Sequence, residues 1–242
     1  MKTLACYSSL GNTGNNMSTY SYILIFSVII PFLYSFHPKI KFYKKWPSFF
    51  LSTLVIAPLF IAWDIVFTKM GIWGFNHLHI SDLKINNLPI EECLFFIAIP
   101  YCCIFTYEVL KEHLAKFYSI KRSTILIMAL ILFICSIFSI DKSYTFSILI
   151  GNSILFLIIY LLRTPLEKML NSFFILLIPF MIVNGLLTGS FIEEEVVWYN
   201  NAENCNIRIG TIPIEDSFYF LLLFFSQIML YEYFKKFNFL NK

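Results

Sequence analysis

LPIEECLFFIAIP (88–100) and IPIEDSFYFLLLF (212–224) are the two stretches that determine the fold of this chain. Each places a proline and two carboxylates directly before an apolar run, and the two stretches stand 124 residues apart. Proline is favoured at the first position of a helix, and acidic side chains are favoured in its first turn. Each stretch therefore predicts the start of an apolar helix, and their likeness predicts a duplicated chain.

The repeat extends well beyond these stretches. At the same offset of 124, Tyr107-Glu108 matches Tyr231-Glu232, while WDIVFT (63–68) matches VNGLLT (183–188) at an offset of 120. We therefore expect two units of three helices in the same orientation, joined by a linking helix that returns the chain. The expected segments are 1–19 (polar N-terminal segment), 20–110 (first repeat), 111–143 (linking helix) and 144–242 (second repeat).

The composition indicates a membrane protein. Of the 242 residues, 58% are hydrophobic, 14% are charged and 28 are Phe, a balance that excludes a soluble domain. A helix needs about 20 apolar residues to cross the hydrocarbon core. The sequence thus predicts an all-α membrane protein with about seven transmembrane helices, near 20–36, 49–68, 89–110, 123–140, 144–162, 170–189 and 213–234.

The distribution of positive charge predicts the orientation. Thirteen of the 18 Lys and Arg follow spans 1, 3, 5 or 7, so these ends should be cytoplasmic, with the C-terminus inside and the N-terminus outside. The net charge of +3 is therefore a topology signal in a multi-pass protein of the cytoplasmic membrane, and it does not indicate nucleic acid. Residues 1–16 lack the apolar core of a signal peptide, and Met17 is an alternative start.

Four carboxylates form the candidate catalytic set: Glu91, Glu92, Glu215 and Asp216. A helix cap explains one such pair equally well. Two copies, each entering an apolar span, favour a site, because carboxylates at membrane depth are costly and usually functional. Acids that converge in a dry cavity hold a proton, as a general acid must. Adjacent side chains point about 100° apart on a helix, so we expect one acid of each pair to face a substrate.

Five motifs together resemble the signature of the membrane-integral lycopene cyclases: WDxxFTxxGxWxFN (63–76), LPxEExLFFxxxPxC (88–102), VNGxLTG (183–189), YNNAEN (199–204) and RIGTIPxED (208–216). Both halves occur in one chain, so it resembles the fused form of the heterodimeric-type enzymes and should need no partner subunit. Ser81-Asp82 and Cys205-Asn206 depart from the Leu-Gly pair that is common in the family.

The resemblance implies a lycopene β-cyclase, an isomerase of carotenoid biosynthesis that acts on lycopene within the lipid bilayer. An acid protonates the C1=C2 alkene of the linear ψ-end, the C5=C6 bond attacks the cation, and a base removes the C6 proton. Since this sequence of steps is redox-neutral, no cofactor is expected, and GNTG (11–14) lacks the dinucleotide-binding spacing. His77 and His79 lack a third ligand, so no metal site is predicted.

Polar and aromatic residues near the acids are candidates for substrate binding. Asp64 and Asn184 occupy matched positions late in their spans, with interhelical hydrogen bonding as the alternative. An aromatic ring one turn below the acids could hold a developing carbocation over its face. The candidate substrate-binding residues are Asp64, Asn76, Phe95, Phe96, Asn184, Asn200 and Tyr219.

Three other features receive structural interpretations. Trp73 and Trp198 are interpreted as interfacial aromatics, and Glu108 and Glu232 as surface partners of nearby lysines. Asp82 and Asn206 match just before a basic residue, and both tolerate a left-handed backbone in a tight turn. Cysteines in the spans are interpreted as packing residues.

The sequence leaves other functions open. Within the family, a C50 substrate or an ε-ring product is compatible with the same motifs. From another class, parallel repeats with intramembrane carboxylates also describe a proton-coupled transporter, whose acids would be expected near the middle of the membrane.

Overall fold

The computed structural model describes residues 17–111 and 120–240, so GNTG (11–14) and most of the polar segment 1–19 lie outside the described residues. So do Lys116 and Lys242, two of the thirteen basic residues that predict the orientation. In the described part of the chain, each of the predicted apolar runs forms a helix. The helices are α1 (Thr19–Tyr34), α2 (Trp46–Lys69), α3 (Ile90–Leu110), α4 (Arg122–Ile137), α5 (Ser143–Leu162), α6 (Glu167–Leu187) and α7 (Glu215–Leu240).

Five of these helices, α2, α3, α5, α6 and α7, are long and apolar enough to cross a membrane. The two others, α1 and α4, are apolar but have 16 residues each, so each is about 24 Å long at 1.5 Å per residue. Proline lies inside four of the helices, at Pro31, Pro58, Pro100 and Pro179. The chain is thus an all-α membrane protein built from two repeated halves.

A short hairpin precedes the last helix of each half. Strands β2 (Lys84–Ile85) and β3 (Leu88–Pro89) pair antiparallel before α3, and β5 (Arg208–Ile209) and β6 (Ile212–Pro213) do the same before α7. The sequence did not predict these hairpins, because each strand has two residues and carries no periodicity.

Left-handed backbone occurs within and just before these hairpins. Asn86 (φ 63°) and Gly210 (φ 65°) lie in the two equivalent turns, where a left-handed residue lets the chain reverse tightly. Asn206 is also left-handed, with φ 57°, as predicted. The prediction is wrong for Asp82, whose φ is not positive although its match Asn206 is left-handed.

A two-stranded ribbon joins the halves. Strand β1 (Trp73–Phe75) pairs antiparallel with β4 (Val197–Tyr199), with Gly74 opposite Trp198. A Cβ on Gly74 would lie 2.4 Å from Cζ2 of Trp198, so this position requires glycine for the close approach of the indole. The ribbon therefore fixes the loops of the two halves against each other above the helices.

The helices pack in equivalent ways within each half and cross between halves. Helix α1 packs on α3, and α5 packs on α7, while α2 contacts α7 and α3 contacts α6 across the halves. The linking helix α4 packs on α5. Between α2 and α7, Gln227 donates to Ser52 Oγ at 2.9 Å and to Thr53 Oγ1 at 2.8 Å. The halves thus share one interior.

Lysines from three parts of the chain meet at the end of the bundle opposite the ribbon. Lys45, Lys111 and Lys235 each donate to Glu108, and Lys111 also donates to Glu232 at 3.3 Å. The Glu108 side chain is 1% exposed, so the interpretation of Glu108 as a surface partner is wrong. Three neighbouring cations stabilise this buried anion, which a surface carboxylate would not need.

Candidate active site

The first acid of each predicted pair fastens a loop to the helices. Glu91 accepts hydrogen bonds from Ser81 N at 2.9 Å, from Ser81 Oγ at 3.1 Å, from Ser21 Oγ at 3.3 Å and from Ser18 Oγ. Ser18 also caps α1, because its Oγ accepts from Ser21 N. Glu91 therefore holds the start of α3 to the start of α1 and to the preceding loop.

Glu215 does the same in the second half. Its Oε1 accepts from Thr145 Oγ1 and from Cys205 N, both at 2.7 Å. Thr145 and Cys205 stand 124 residues after Ser21 and Ser81, so the repeat duplicates these hydrogen bonds as well as the helices.

The second acid of each pair points into the protein. Glu92 Oε2 accepts from the Tyr20 hydroxyl at 2.6 Å, and Asp216 Oδ1 accepts from the Tyr144 hydroxyl at 2.6 Å. Tyr20 and Tyr144 are again 124 residues apart. Both acids are buried, with Glu92 9% and Asp216 3% exposed. Each half thus contributes one tyrosine-bonded carboxyl to the interior.

Glu92 and Asp216 line one shared cavity of about 50 Å³ beneath the ribbon. Alternate side chains of a strand point to one face, and the ribbon covers the cavity with Trp73 and Phe75 from β1 and with Val197 and Tyr199 from β4. The remaining wall is largely aromatic. It includes Tyr20, Phe95, Tyr144, Phe180 and Tyr219.

The polar groups around the two inner carboxyls differ. Asp216 Oδ2 accepts from Asn184 Nδ2 at 2.6 Å and from the Tyr199 hydroxyl at 3.0 Å, in addition to the bond from Tyr144 to Oδ1. On the other side, the carboxyl of Asp64 lies within hydrogen-bonding reach of the carboxyl of Glu92. The two halves therefore place their inner carboxyls at equivalent positions but surround them with different hydrogen-bonding groups.

Tyr199, in the loop above the membrane-spanning helices, is a permanent donor at this site. Burial raises the pKa of its hydroxyl well above the ordinary value, and the Asp216 carboxylate raises the pKa further. The phenol accordingly keeps its proton near neutral pH and donates a hydrogen bond to Asp216 Oδ2.

Four of the predicted substrate-binding residues, Asp64, Phe95, Asn184 and Tyr219, line the cavity. The other three lie elsewhere. Phe96 packs in the core, with its ring centroid 6.0 Å from that of Phe60. Asn76 donates to Glu194 Oε2 at 3.1 Å, and Asn200 accepts from Ala202 N at 3.1 Å, so both side chains stabilise loops.

The structure changes the interpretation of one tryptophan. Trp73 is 5% exposed and lines the cavity, so its interpretation as an interfacial aromatic is wrong. The antiparallel ribbon turns Trp73 inward and Trp198, which is 40% exposed, outward.

Sequence reasoning missed the tyrosines that bind the inner acids. Thr19-Tyr20-Ser21 and Ser143-Tyr144-Thr145 match at the offset of 124, and this signal could have found Tyr20 and Tyr144. Tyr199 has no such signal, because Phe75 stands at the equivalent position.

The histidines of the first loop are not part of the cavity wall. His79 Nδ1 shares a hydrogen bond with Thr19 Oγ1 at 3.0 Å, and His77 is exposed. Within residues 17–111 and 120–240, no three His, Cys, Asp or Glu side chains form a group that could hold a metal ion.

A family model described as lycopene cyclase matches the chain twice, over residues 17–110 and 141–234. The first match contains α1 to α3 and the second contains α5, α6 and most of α7, so each half matches the model separately. No curated protein and no solved structure matches the chain.

Proposed function

Since the chain belongs to the lycopene cyclase family, we propose that it closes the linear ψ-ends of lycopene into β-ionone rings by redox-neutral acid–base catalysis. Membership of this family supports a carotenoid cyclase in general. We propose the ring type and the mechanism in addition. The observation that carries it is the shared cavity, in which Glu92, Asp216 and Asp64 lie within a largely aromatic wall.

The proposed reaction uses two carboxyl functions. One carboxyl group transfers a proton to C2 of the end group, which leaves a tertiary cation at C1. The C5=C6 electron pair then forms the C1–C6 bond and moves the cation to C5. A carboxylate removes the C6 proton, which restores a C5=C6 double bond inside the ring. The proton gained at C2 balances the proton lost from C6, so no oxidant or reductant takes part.

The wall of the cavity suits a carbocation. Aromatic faces attract cations through the ring quadrupole, by about 0.5–2 kcal/mol each. Phe95 and Tyr219 lie one turn beyond Glu92 and Asp216 on α3 and α7, and both line the cavity. The present volume of about 50 Å³ is room for a few water molecules. We therefore expect wall side chains to move apart when an end group enters.

The same proposal includes the setting of the enzyme. Apolar helices and both halves in one chain support a hydrophobic polyene substrate reached from the lipid, without a partner subunit. The three lysines at Glu108 lie between α1 and α2, at the end of α3 and near the end of α7, on the side that the charge bias assigns to the cytoplasm. We place the C-terminus there, in a multi-pass protein of the cytoplasmic membrane.

Expression in lycopene-accumulating bacteria, followed by chromatography of the pigments, tests the function. We expect γ-carotene and β-carotene with the native chain, and unchanged lycopene with Glu92→Gln. Glu193→Gln, in an exposed loop, is the matched control. Purified protein in lipid discs should form the same rings without flavin or nicotinamide. Unchanged lycopene in the presence of folded native protein would contradict the proposed function and favour a carrier. Formation of ε-rings would show that the proposed ring type is wrong, and action on C50 polyenes alone would show that the proposed substrate is wrong.

A further inference from the structure

The two inner carboxyls, equivalent by the repeat, have different sets of donors. Asp216 accepts three hydrogen bonds, from Tyr144, Asn184 and Tyr199. Glu92 accepts one, from Tyr20, and its second neighbour is the carboxyl of Asp64. Position 64 holds an acid where the equivalent position 184 holds an amide. This exchange replaces one donor by a second acid, and Phe75 in place of Tyr199 removes another donor.

These surroundings decide where a proton resides. A carboxylate that accepts several hydrogen bonds is stabilised as an anion, so Asp216 needs no proton of its own. Two adjacent carboxyls behave in the opposite way, because two like charges in a buried site repel and a hydrogen bond between them requires a proton on one. Asp64 Oδ2 is moreover buried without a partner among the described residues. Protonation of either acid supplies a donor between them.

The structure assigns the transferable proton to the Asp64–Glu92 pair and the fixed negative charge to Asp216. This assignment rests on the proposed function and deepens it. The pair gives its proton to C2 of the end group, and Asp216 stabilises the resulting cation and accepts the C6 proton. That proton then returns across the shared cavity to the pair, so the resting state is regenerated without a net change.

The division of roles also fits the different demands of the two steps. Protonation of an alkene needs a proton already in place, and the pair holds one. A proton next to a carbocation is strongly acidic, so its removal depends on the position of the base more than on its strength. A carboxylate that three donors hold in one orientation is suited to this step, because it abstracts the proton from one defined carbon.

Infrared spectroscopy of the full chain in lipid discs locates the proton without using activity. We expect the carbonyl band of a protonated carboxyl in the native protein to disappear in Glu92→Gln and in Asp64→Asn, and to persist in Asp216→Asn. Asp64→Asn is the more informative variant, because it keeps Glu92 and replaces only the neighbouring acid. The new amide should donate to Glu92 as Asn184 donates to Asp216, so Glu92 should lose its need for a proton. The reciprocal Asn184→Asp should add a second band, and Glu193→Gln should change nothing. A band that disappears in Asp216→Asn and persists in both pair variants would overturn the assignment.

Product analysis tests the same roles independently. Asp64→Asn and Glu92→Gln should lower the ring-forming rate by ~10²–10⁴-fold without changing the ring type. In Asp216→Asn, the cation at C5 should lose a proton from a neighbouring carbon other than C6. The position of the double bond formed should therefore shift. Equal losses in all three variants with one unchanged product would overturn the assignment. Failure of the native chain to form rings would instead refute the proposed function, and the infrared result would still show where the proton lies.

Discussion

Glu91→Gln and Glu92→Gln should give opposite defects, although the two residues are adjacent in the sequence. Glu91 fastens the loop and α1 to the start of α3, and it does not line the cavity. Glu92 lines the cavity and is bound by Tyr20. We expect Glu91→Gln to lower stability at nearly normal activity, and Glu92→Gln to abolish activity at nearly normal stability.

The magnitudes follow from the hydrogen bonds. Bonds to a charged acceptor contribute about 1.5–3 kcal/mol each, against about 0.5–1.5 for a neutral one. Glutamine keeps an oxygen for Ser81 N and an amide for the rotatable Ser81 hydroxyl, so the loss is mainly that of charge. We therefore expect Glu91→Gln to lower the free energy of unfolding by about 1–3 kcal/mol, and to change the rate by less than ~10-fold. Glu92→Gln keeps an acceptor for Tyr20 and should lose ~10²–10⁴-fold in rate.

The assay combines thermal unfolding of the purified protein in lipid discs with ring formation per folded molecule. Glu215→Gln and Asp216→Asn test the same contrast in the second half, because Thr145 and Cys205 N bind Glu215 as Ser21 and Ser81 N bind Glu91. Equal losses of activity in Glu91→Gln and Glu92→Gln, at equal amounts of folded protein, would refute the reasoning.

Three further predictions concern the scaffold. Glu108→Gln should lower the free energy of unfolding by about 2–4 kcal/mol. This loss is smaller than for a fully buried ion pair, because the three lysines are partly exposed. An unchanged unfolding midpoint would contradict this prediction. Gly74→Ala should cost about 1–3 kcal/mol, because its Cβ would meet the Trp198 indole, and an unaltered melting curve would show that the ribbon yields freely. Reporter fusions should place residues 37–48 and the C-terminus in the cytoplasm. A cytoplasmic signal from a reporter at 191–195 would show that the predicted orientation is wrong.

The fold could be predicted closely because its determinants are local. The length of each apolar run sets the helices, and the offset of 124 between the acidic helix starts sets the duplication. The hairpins β2–β3 and β5–β6 and the ribbon β1–β4 could not be predicted, since strands of two or three residues carry too few side chains for a period-2 pattern. Asp82 illustrates the same limit, because its match Asn206 is left-handed and Asp82 is not.

The candidate site could be predicted in part. The sequence identifies the acids and four of the cavity residues by residue type and by duplication, because both properties are visible in the sequence alone. Tyr20 and Tyr144 were available from the same duplication. Tyr199 and Trp73 were not, because an inward direction on β1 and β4 exists only once the two strands pair. The burial of Glu108 likewise depends on lysines from three separate parts of the chain.

The sequence by itself determined that this protein has two like halves of membrane-length apolar helices, each with paired acids at a helix start. Only the tertiary structure decided which acid of each pair faces the cavity, and that the halves offer it unequal partners. The physical reason is that the rotation of a helix about its axis is set by its packing against other helices. A carboxyl acquires its donors from residues far away in the chain, such as Asn184 and Tyr199 at Asp216.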